Sequence, residues 1–99
     1  MNIYSKICGN GTCVLTVHGI ISDHNFFEGI IKYLSRQYTM ISFDRRGYGK
    51  SVEELISDYS VKVQVEDAYE VLKKYADEPV YILAHSAGCV IALEMAICY

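Results

Sequence analysis

The chain has 99 residues, of which 52% are apolar, so it forms one domain or part of one. Its 9 basic and 12 acidic residues give a formal net charge of −3, which argues against a protein that binds nucleic acid through a basic face. Uncharged apolar runs are far shorter than a membrane span, and residues 1–6 contain no apolar signal core, so we expect a cytoplasmic protein without a membrane span.

Four strands are predicted from short runs of β-branched and aromatic residues that end at turn-forming residues. They cover residues 2–8, 13–17, 39–43 and 80–84. Three helices are predicted from apolar residues at helical spacing, over residues 25–36 and 61–75 and from about Ala87 onwards. Because strands and helices alternate, we expect an α/β fold with a mostly parallel sheet of about four strands and helices on both faces.

The apolar residues of each predicted helix indicate its buried face. In the first helix these are Phe27, Ile30, Ile31 and Leu34, and in the second, which Ser60 is expected to cap, they are Val61, Val65, Ala68, Leu72 and Tyr75. The third helix carries a single charged residue, Glu94, so we expect this helix to be buried on most sides.

The four cysteines, Cys8, Cys13, Cys89 and Cys98, include no C-x-x-C pair. Cys8, Cys13 and His18 follow one another at intervals of five residues, which is not a known zinc spacing, so we expect reduced thiols that pack as small apolar groups. Residues 9–11 read G-N-G, but no G-K-S/T follows, which argues against a phosphate-binding loop. We therefore predict no metal and no cofactor.

The most informative segment is residues 80–88, V-Y-I-L-A-H-S-A-G, in which an apolar strand ends at Ala84 and an apolar helix begins directly after Ser86. This order of strand, tight turn, serine and helix lifts one hydroxyl above a helix N-terminus. The small residues Ala84 and Gly88 leave room for the turn, and the Ala87 N–H would face the space above Ser86 as one oxyanion donor. The alternative is a tight turn in which the serine only caps the helix.

A second motif, His18-Gly19-Ile20, directly follows the strand at residues 13–17, so it lies at the same carboxyl edge of a parallel sheet as Ser86. Gly19 allows the chain to turn sharply, and the Ile20 N–H would then supply the second oxyanion donor. We interpret His18 as a structural histidine bonded to nearby backbone, with a role in proton transfer as the alternative.

The third motif is D-R-R-G-Y-G-K-S at residues 44–51, directly after the third strand. With H-G before it and A-x-S-x-G after it, the chain resembles the N-terminal part of an α/β-hydrolase over nearly its whole length. The resemblance implies that Asp44, Arg46 and Gly47 form a structural turn rather than a catalytic one. Glycines let this loop pass close under the site, and we expect an Asp–Arg pair to hold it.

The same resemblance implies a sheet order of first, third, second and fourth strand. It also implies that Ser86 is the nucleophile and that Ala87 and Ile20 supply the oxyanion-hole N–H groups. The dehalogenase variant of the fold uses an aspartate nucleophile, so a serine here favours ester, thioester or acyl-transfer chemistry. Ala84 stands where many members have glycine, and its small methyl group makes this departure acceptable.

The family takes its triad acid and histidine from loops after later strands, in the order Ser, Asp or Glu, His. We therefore expect residues 1–99 to be a single partial domain that lacks the C-terminal half and is weakly active or inactive alone. His85 points away from its neighbour on an elbow, His18 faces the oxyanion side, and His24 lies in an unconstrained loop, so none is expected to replace the base. The alternative is a non-catalytic binding or interaction module, or a fragment that needs a second chain.

The predicted strand at residues 80–84, which starts at Val80, would form an open edge of apolar residues. Open edges favour pairing with another chain. We therefore expect marginal stability together with self-association or a complementing chain at this edge. For an active protein, we expect a small ester-like molecule as the substrate.

Overall fold

A computed structural model of the chain describes residues 1–53 and 55–99. Four strands, β1 to β4, cover Ser5–Gly9, Cys13–Val17, Thr39–Phe43 and Tyr81–Ala84. Three α-helices, α1 to α3, cover Glu28–Leu34, Val61–Tyr75 and Gly88–Cys98, and a 3₁₀ helix, His24–Phe27, precedes α1. The bounds of β2, β3 and α2 are as predicted.

The four strands form one sheet in the predicted order β1-β3-β2-β4. β2 runs parallel to both of its neighbours, with Leu15 opposite Ile41 of β3 and Ile82 of β4. β1 runs antiparallel to β3 at the other end of the sheet. The mostly parallel α/β sheet is therefore confirmed. The carboxyl ends of β2 and β4 lie side by side, which places the two loops that follow them together.

Helices cover both faces of the sheet, as predicted. On one face, Leu15 and Val17 of β2 pack with the buried residues of α2 and α3. On the other face, Val14 packs with Phe27 and Ile31 from the 3₁₀ helix and α1. This division follows from the two-residue period of a strand, which sends successive side chains to opposite faces.

The buried faces of α1 and α2 differ in part from the prediction. Residues Val65, Ala68 and Val71 of α2 are buried, whereas Val61 is 38% exposed. In the first helical segment Phe27 and Ile31, four residues apart, are buried, whereas Ile30 is 45% exposed. The predicted cap of α2 is confirmed, since the Ser60 hydroxyl accepts the Val63 N–H at 3.3 Å.

Helix α3 is not buried on most sides, and that prediction is wrong. It buries Gly88, Ile91 and Met95, while Leu93 and Ile97 are 66% and 77% exposed. Within the described part of the chain, α3 packs mainly on α2, β2 and β4, so its remaining apolar side chains face outward. None of the helices in residues 1–53 and 55–99 is both long and apolar enough to cross a membrane.

Candidate active site

β4 turns into α3 at Ser86, whose backbone has a left-handed conformation with φ of 53°. This conformation costs a residue with a Cβ atom about 1–2 kcal/mol. The turn is held by the His85 N–H, which donates to the Val17 carbonyl at 3.1 Å, and by the Gly88 N–H, which donates to the His85 carbonyl at 2.9 Å. Ser86 is exposed. The strand, sharp turn and helix expected around Ser86 are thus present.

Two glycines let the loop after β2 approach the serine turn. A Cβ on Gly88 would lie 2.4 Å from the Val17 carbonyl oxygen and 2.6 Å from that of His18, so only glycine fits at the start of α3. A Cβ on Gly19 would lie 3.1 Å from the Cβ of Ser86. The loop after β2 is therefore in direct contact with the serine turn.

Gly19 and Ser86 are in contact, and each is followed in the chain by a residue whose N–H is a predicted oxyanion donor, Ile20 and Ala87 respectively. Neither N–H donates to an acceptor within residues 1–53 and 55–99. Unpaired N–H groups at the first turn of a helix carry partial positive charge. The Ala87 N–H is such a group, at the start of α3, whereas the Ile20 N–H lies in the loop after β2. Two N–H groups without an acceptor beside an exposed hydroxyl are the arrangement that an oxyanion hole requires. Their role as oxyanion donors stays a prediction.

His18 is fully buried, and both of its ring nitrogens form hydrogen bonds. Its Nε2 accepts the Arg45 backbone N–H at 2.9 Å, so Nδ1 carries the proton and donates to the Gly19 carbonyl at 2.7 Å. Burial lowers the pKa of His18, the Arg45 charge lowers it further, and the bond to Gly19 partly opposes both effects. A neutral ring bonded to backbone on both sides favours a structural role over proton transfer.

Arg45 was not among the residues predicted from the sequence, yet its buried side chain contacts the loop after β2. Its Nε donates to the His18 carbonyl and its Nη2 to the Gly19 carbonyl, both at 2.9 Å. Its Nη1 donates to the Gln64 Oε1 on α2 at 2.6 Å. Burial lowers the pKa of this guanidinium. The only sequence signal for Arg45 is that a second arginine fills the variable position of the D-x-R-G motif.

Asp44 is buried, and its carboxylate accepts three N–H groups. The His24 backbone and ring each donate at 2.7 Å, and the Lys50 backbone donates at 2.9 Å. Burial by itself raises the pKa of Asp44, but these hydrogen bonds and the His24 charge outweigh it, so the pKa lies below its usual value. His24 is 6% exposed and bonded to Asp44, so the prediction of an unconstrained His24 is wrong.

Arg46 pairs with an aspartate of α2 rather than with Asp44. Its Nε and Nη2 donate to the two carboxylate oxygens of Asp67 at 2.6 and 2.9 Å, and this pair raises the pKa of Arg46. The expected Asp–Arg pair within the turn is therefore replaced by a pair between the turn and α2, because the Asp44 carboxylate is already occupied. Gly47 has φ of 86°, and a Cβ on it would lie 2.6 Å from the Tyr59 ring.

The ring of His85 stacks on Phe26, with 4.3 Å between ring centroids and 26° between ring planes. In the part of the chain that the structure describes, no imidazole or carboxylate forms a hydrogen bond with the Ser86 hydroxyl. The three histidines of the chain are thus engaged elsewhere: two in buried hydrogen bonds and one in an aromatic stack.

Among residues 1–53 and 55–99, one cluster of potential metal ligands is present: Asp23, His24 and Asp44 each place a ligand atom within 4.8 Å of the others. The Asp23 carboxylate already accepts the Asn25 N–H at 2.8 Å, which caps the 3₁₀ helix, and the His24 Nδ1 is bonded to Asp44 at 2.7 Å. Since these atoms already form hydrogen bonds within the protein, we assign no metal to the cluster.

Comparison with known proteins identifies the class of protein that this sheet and serine turn define. The model of the alpha/beta hydrolase fold matches residues 12–99. The chain therefore belongs to the α/β-hydrolase family. It is similar to the uncharacterized hydrolase YraK of Bacillus subtilis (strain 168), with 34% identity over 97 residues, which are 97% of the chain and 36% of YraK.

Two solved structures show the same likeness. The esterase EaEST from Exiguobacterium antarcticum superposes with a TM-score of 0.89 and 32% identity, over 98% of the chain and 36% of the esterase. The epoxide hydrolase VrEH1 from Vigna radiata superposes with a TM-score of 0.89 and 26% identity, over 97% of the chain and 32% of that enzyme. The chain thus spans about a third of the length of each of these relatives.

Proposed function

We propose that this chain carries the nucleophile and oxyanion hole of a serine hydrolase, with Ser86 as nucleophile and the Ile20 and Ala87 N–H groups as oxyanion donors. The observation that carries the proposal is the left-handed Ser86, which is exposed beside two N–H groups that find no acceptor among the described residues. A residue with a Cβ atom stays in such a conformation only where its surroundings enforce it, and such residues cluster at active sites.

The reaction that fits these groups is acyl transfer to water. The Ser86 Oγ attacks the carbonyl carbon of an ester or thioester while a base takes its proton, and the two N–H groups bind the oxyanion that forms. The oxyanion collapses and expels the alcohol or thiol, which takes up a proton. Water then attacks the acyl-serine and releases the acid and the free serine. The substrate would be a small ester-like molecule.

The similar proteins include an esterase and an epoxide hydrolase, and the chemistry of a hydroxyl distinguishes the two activities. A serine that opened an epoxide would form an ether, which water does not cleave, so the enzyme would be blocked after one turnover. A serine that attacks an ester forms another ester, which water cleaves. Ser86 therefore favours acyl substrates over epoxides.

The general base is the group that the described contacts do not supply. The resemblance to the family implies that the acid and the histidine follow the serine in the sequence. A protonated serine is a weak nucleophile near neutral pH. We therefore propose that the 99-residue chain alone is weakly active or inactive toward ordinary esters, while its oxyanion hole is formed.

An activated fluorophosphonate tests this proposal when excess imidazole is supplied as an external base, because it then phosphonylates a serine that lies beside oxyanion donors even where the protein provides no base. We expect mass spectrometry to locate the adduct on Ser86 of the folded chain. Ser86→Ala should abolish labelling, and the exposed control Ser57→Ala should leave it unchanged. A folded chain that remains unlabelled, or labelling that survives in Ser86→Ala, would contradict the proposal.

A second candidate function is a non-catalytic interaction module or a fragment that pairs with another chain. It is favoured by β4, which is the last strand of the described sheet, and by the exposure of Tyr81, Leu93 and Ile97 at 63%, 66% and 77%. Open edge strands are typical sites of association with another chain. Sedimentation should then show self-association or a complex. A monodisperse monomer with a sharp cooperative melt would contradict this function.

A further inference from the structure

The peptide bond between Gly19 and Ile20 connects a buried contact to the proposed oxyanion hole. No cis peptide occurs among the described residues, so this bond is trans. The Gly19 carbonyl and the Ile20 N–H therefore lie in one plane and point in opposite directions. Whatever holds the Gly19 carbonyl also sets the direction of the Ile20 N–H.

Two buried side chains hold that carbonyl. The Arg45 Nη2 donates to it at 2.9 Å and the His18 Nδ1 at 2.7 Å. Arg45 also donates from Nε to the preceding carbonyl, that of His18, at 2.9 Å. Because the guanidinium is planar and its donors have a fixed geometry, these two bonds determine the orientation of two successive peptide groups.

Arg45 is in turn held by other elements. Its Nη1 donates to the Gln64 Oε1 at 2.6 Å, and the Gln64 amide nitrogen donates to the Tyr59 carbonyl at 2.7 Å. Its guanidinium also lies 4.9 Å from the centre of the Tyr48 ring, within the range of a cation–π contact. The guanidinium is therefore fixed before any substrate binds, and it joins α2 to the loop after β2.

We propose that Arg45 is a positioning residue of the oxyanion hole: by holding the carbonyls of His18 and Gly19, it aims the Ile20 N–H at the space above the Ser86 hydroxyl. The inference rests on the proposed function for its catalytic consequence. A carbonyl that accepts hydrogen bonds also polarises the N–H of the same peptide, which strengthens that N–H as a donor.

The first test is the rate at which a fluorophosphonate reacts with Ser86, in excess imidazole as the external base, in the wild-type chain, Arg45→Met, Arg45→Lys and Arg46→Met, compared at equal folded fraction. We expect Arg45→Met to lower the limiting rate roughly tenfold or more, without changing the half-saturating reagent concentration, because one oxyanion donor is misaligned. Arg45→Lys should stay slow, since an ammonium does not reproduce the fork that binds two carbonyls. Arg46→Met should react within about twofold of wild type, because Arg46 contacts Asp67 and not the loop after β2.

The second test does not depend on reactivity. The residual dipolar coupling of the Ile20 N–H, measured by NMR in partially aligned chains, reports the direction of that bond. We expect it to change in Arg45→Met and to stay the same in Arg46→Met. If Arg45→Met does not fold, Arg45→Lys replaces it in both tests.

The outcomes separate the two proposals. A wild-type chain whose Ser86 does not react contradicts the proposed function, and the Ile20 N–H direction then decides the inference alone. An unchanged N–H direction in Arg45→Met overturns the inference, whatever the reaction rate. With a reactive wild type, an Arg45→Met chain or an Arg45→Lys chain that reacts at the wild-type rate also overturns it.

Discussion

The closest fit of backbone to backbone in the site is at Gly88, and Gly88→Ala tests whether the serine turn depends on it. The added Cβ would lie 2.4, 2.6 and 2.9 Å from the Val17 oxygen, the His18 oxygen and the Val17 carbonyl carbon, all below the 3.0 Å that real Cβ atoms essentially never show. All three are backbone atoms of β2 and of the residue after it, so no side-chain rotation relieves the overlap.

The cost of this substitution has two parts. Overpacking in a buried, well-packed site costs about 1–3 kcal/mol. A shift of α3 away from β2 would also weaken the 3.1 Å bond between the His85 N–H and the Val17 carbonyl, a contribution of about 1 kcal/mol. We therefore expect Gly88→Ala to lower the free energy of unfolding by about 2–4 kcal/mol and to slow phosphonylation of Ser86.

Urea unfolding followed by far-UV circular dichroism measures this loss. Gly29→Ala is the matched control, because a Cβ on Gly29 of α1 meets nothing within 4 Å. Alanine is the better helix former, so the control should gain about 0.5–1 kcal/mol. A Gly88→Ala chain whose free energy of unfolding lies within about 0.5 kcal/mol of wild type would refute the close approach of α3 to β2.

Three further predictions concern the same site. Ser86→Gly should be about 1 kcal/mol more stable to urea than Ser86→Ala, because glycine adopts φ of 53° without strain; equal stabilities would contradict this. Asp44→Asn should lower the free energy of unfolding near pH 7 by about 2–4 kcal/mol, because three N–H groups, two of them buried, lose a charged acceptor. The folded pKa of Asp44 is depressed, so the stabilisation that its carboxylate contributes is complete above about pH 4 and is lost as the pH falls through the folded pKa. Urea unfolding at several pH values should therefore show that the free energies of unfolding of the wild-type and Asp44→Asn chains converge only at acid pH. The pKa of His18 is lowered by burial, so its ring should titrate in NMR below about pH 6.5. As the pH falls, the unfolded chain then takes up a proton before the folded chain does, which lowers the free energy of unfolding. A midpoint at or above about pH 6.5 would contradict the burial of His18 as a neutral ring.

Most of the fold could be predicted because local signals and tertiary structure agree. β2 and β3 are short apolar runs that end at turn formers, and their bounds match the prediction. The outward faces could not be predicted in the same way. The apolar composition of α3 indicates that the helix can pack on apolar neighbours, but its exposure depends on which elements actually surround it. The prediction that Leu93 and Ile97 are buried was therefore wrong.

The candidate site could likewise be predicted only in part from the sequence. The serine turn could be predicted from small residues between an apolar strand and an apolar helix, because the steric demand of that turn restricts residue type directly. The partners of Asp44, Arg45 and Arg46 could not, because they lie on segments up to 27 residues away that only the tertiary structure brings together. A buried polar residue needs a hydrogen-bond partner, but the sequence around it does not identify which residue that partner is.

The position of β4 at the end of the described sheet has a consequence for motion. The strand that carries the serine hydrogen-bonds to one neighbouring strand, β2, whereas β2 itself is bonded on both sides. Local unfolding is easiest where few backbone bonds must break, so amide hydrogens in β4 should exchange with solvent faster than those in β2. The strain stored at the serine would be released in that opening, which links the opening of this edge of the sheet to the proposed reactive centre.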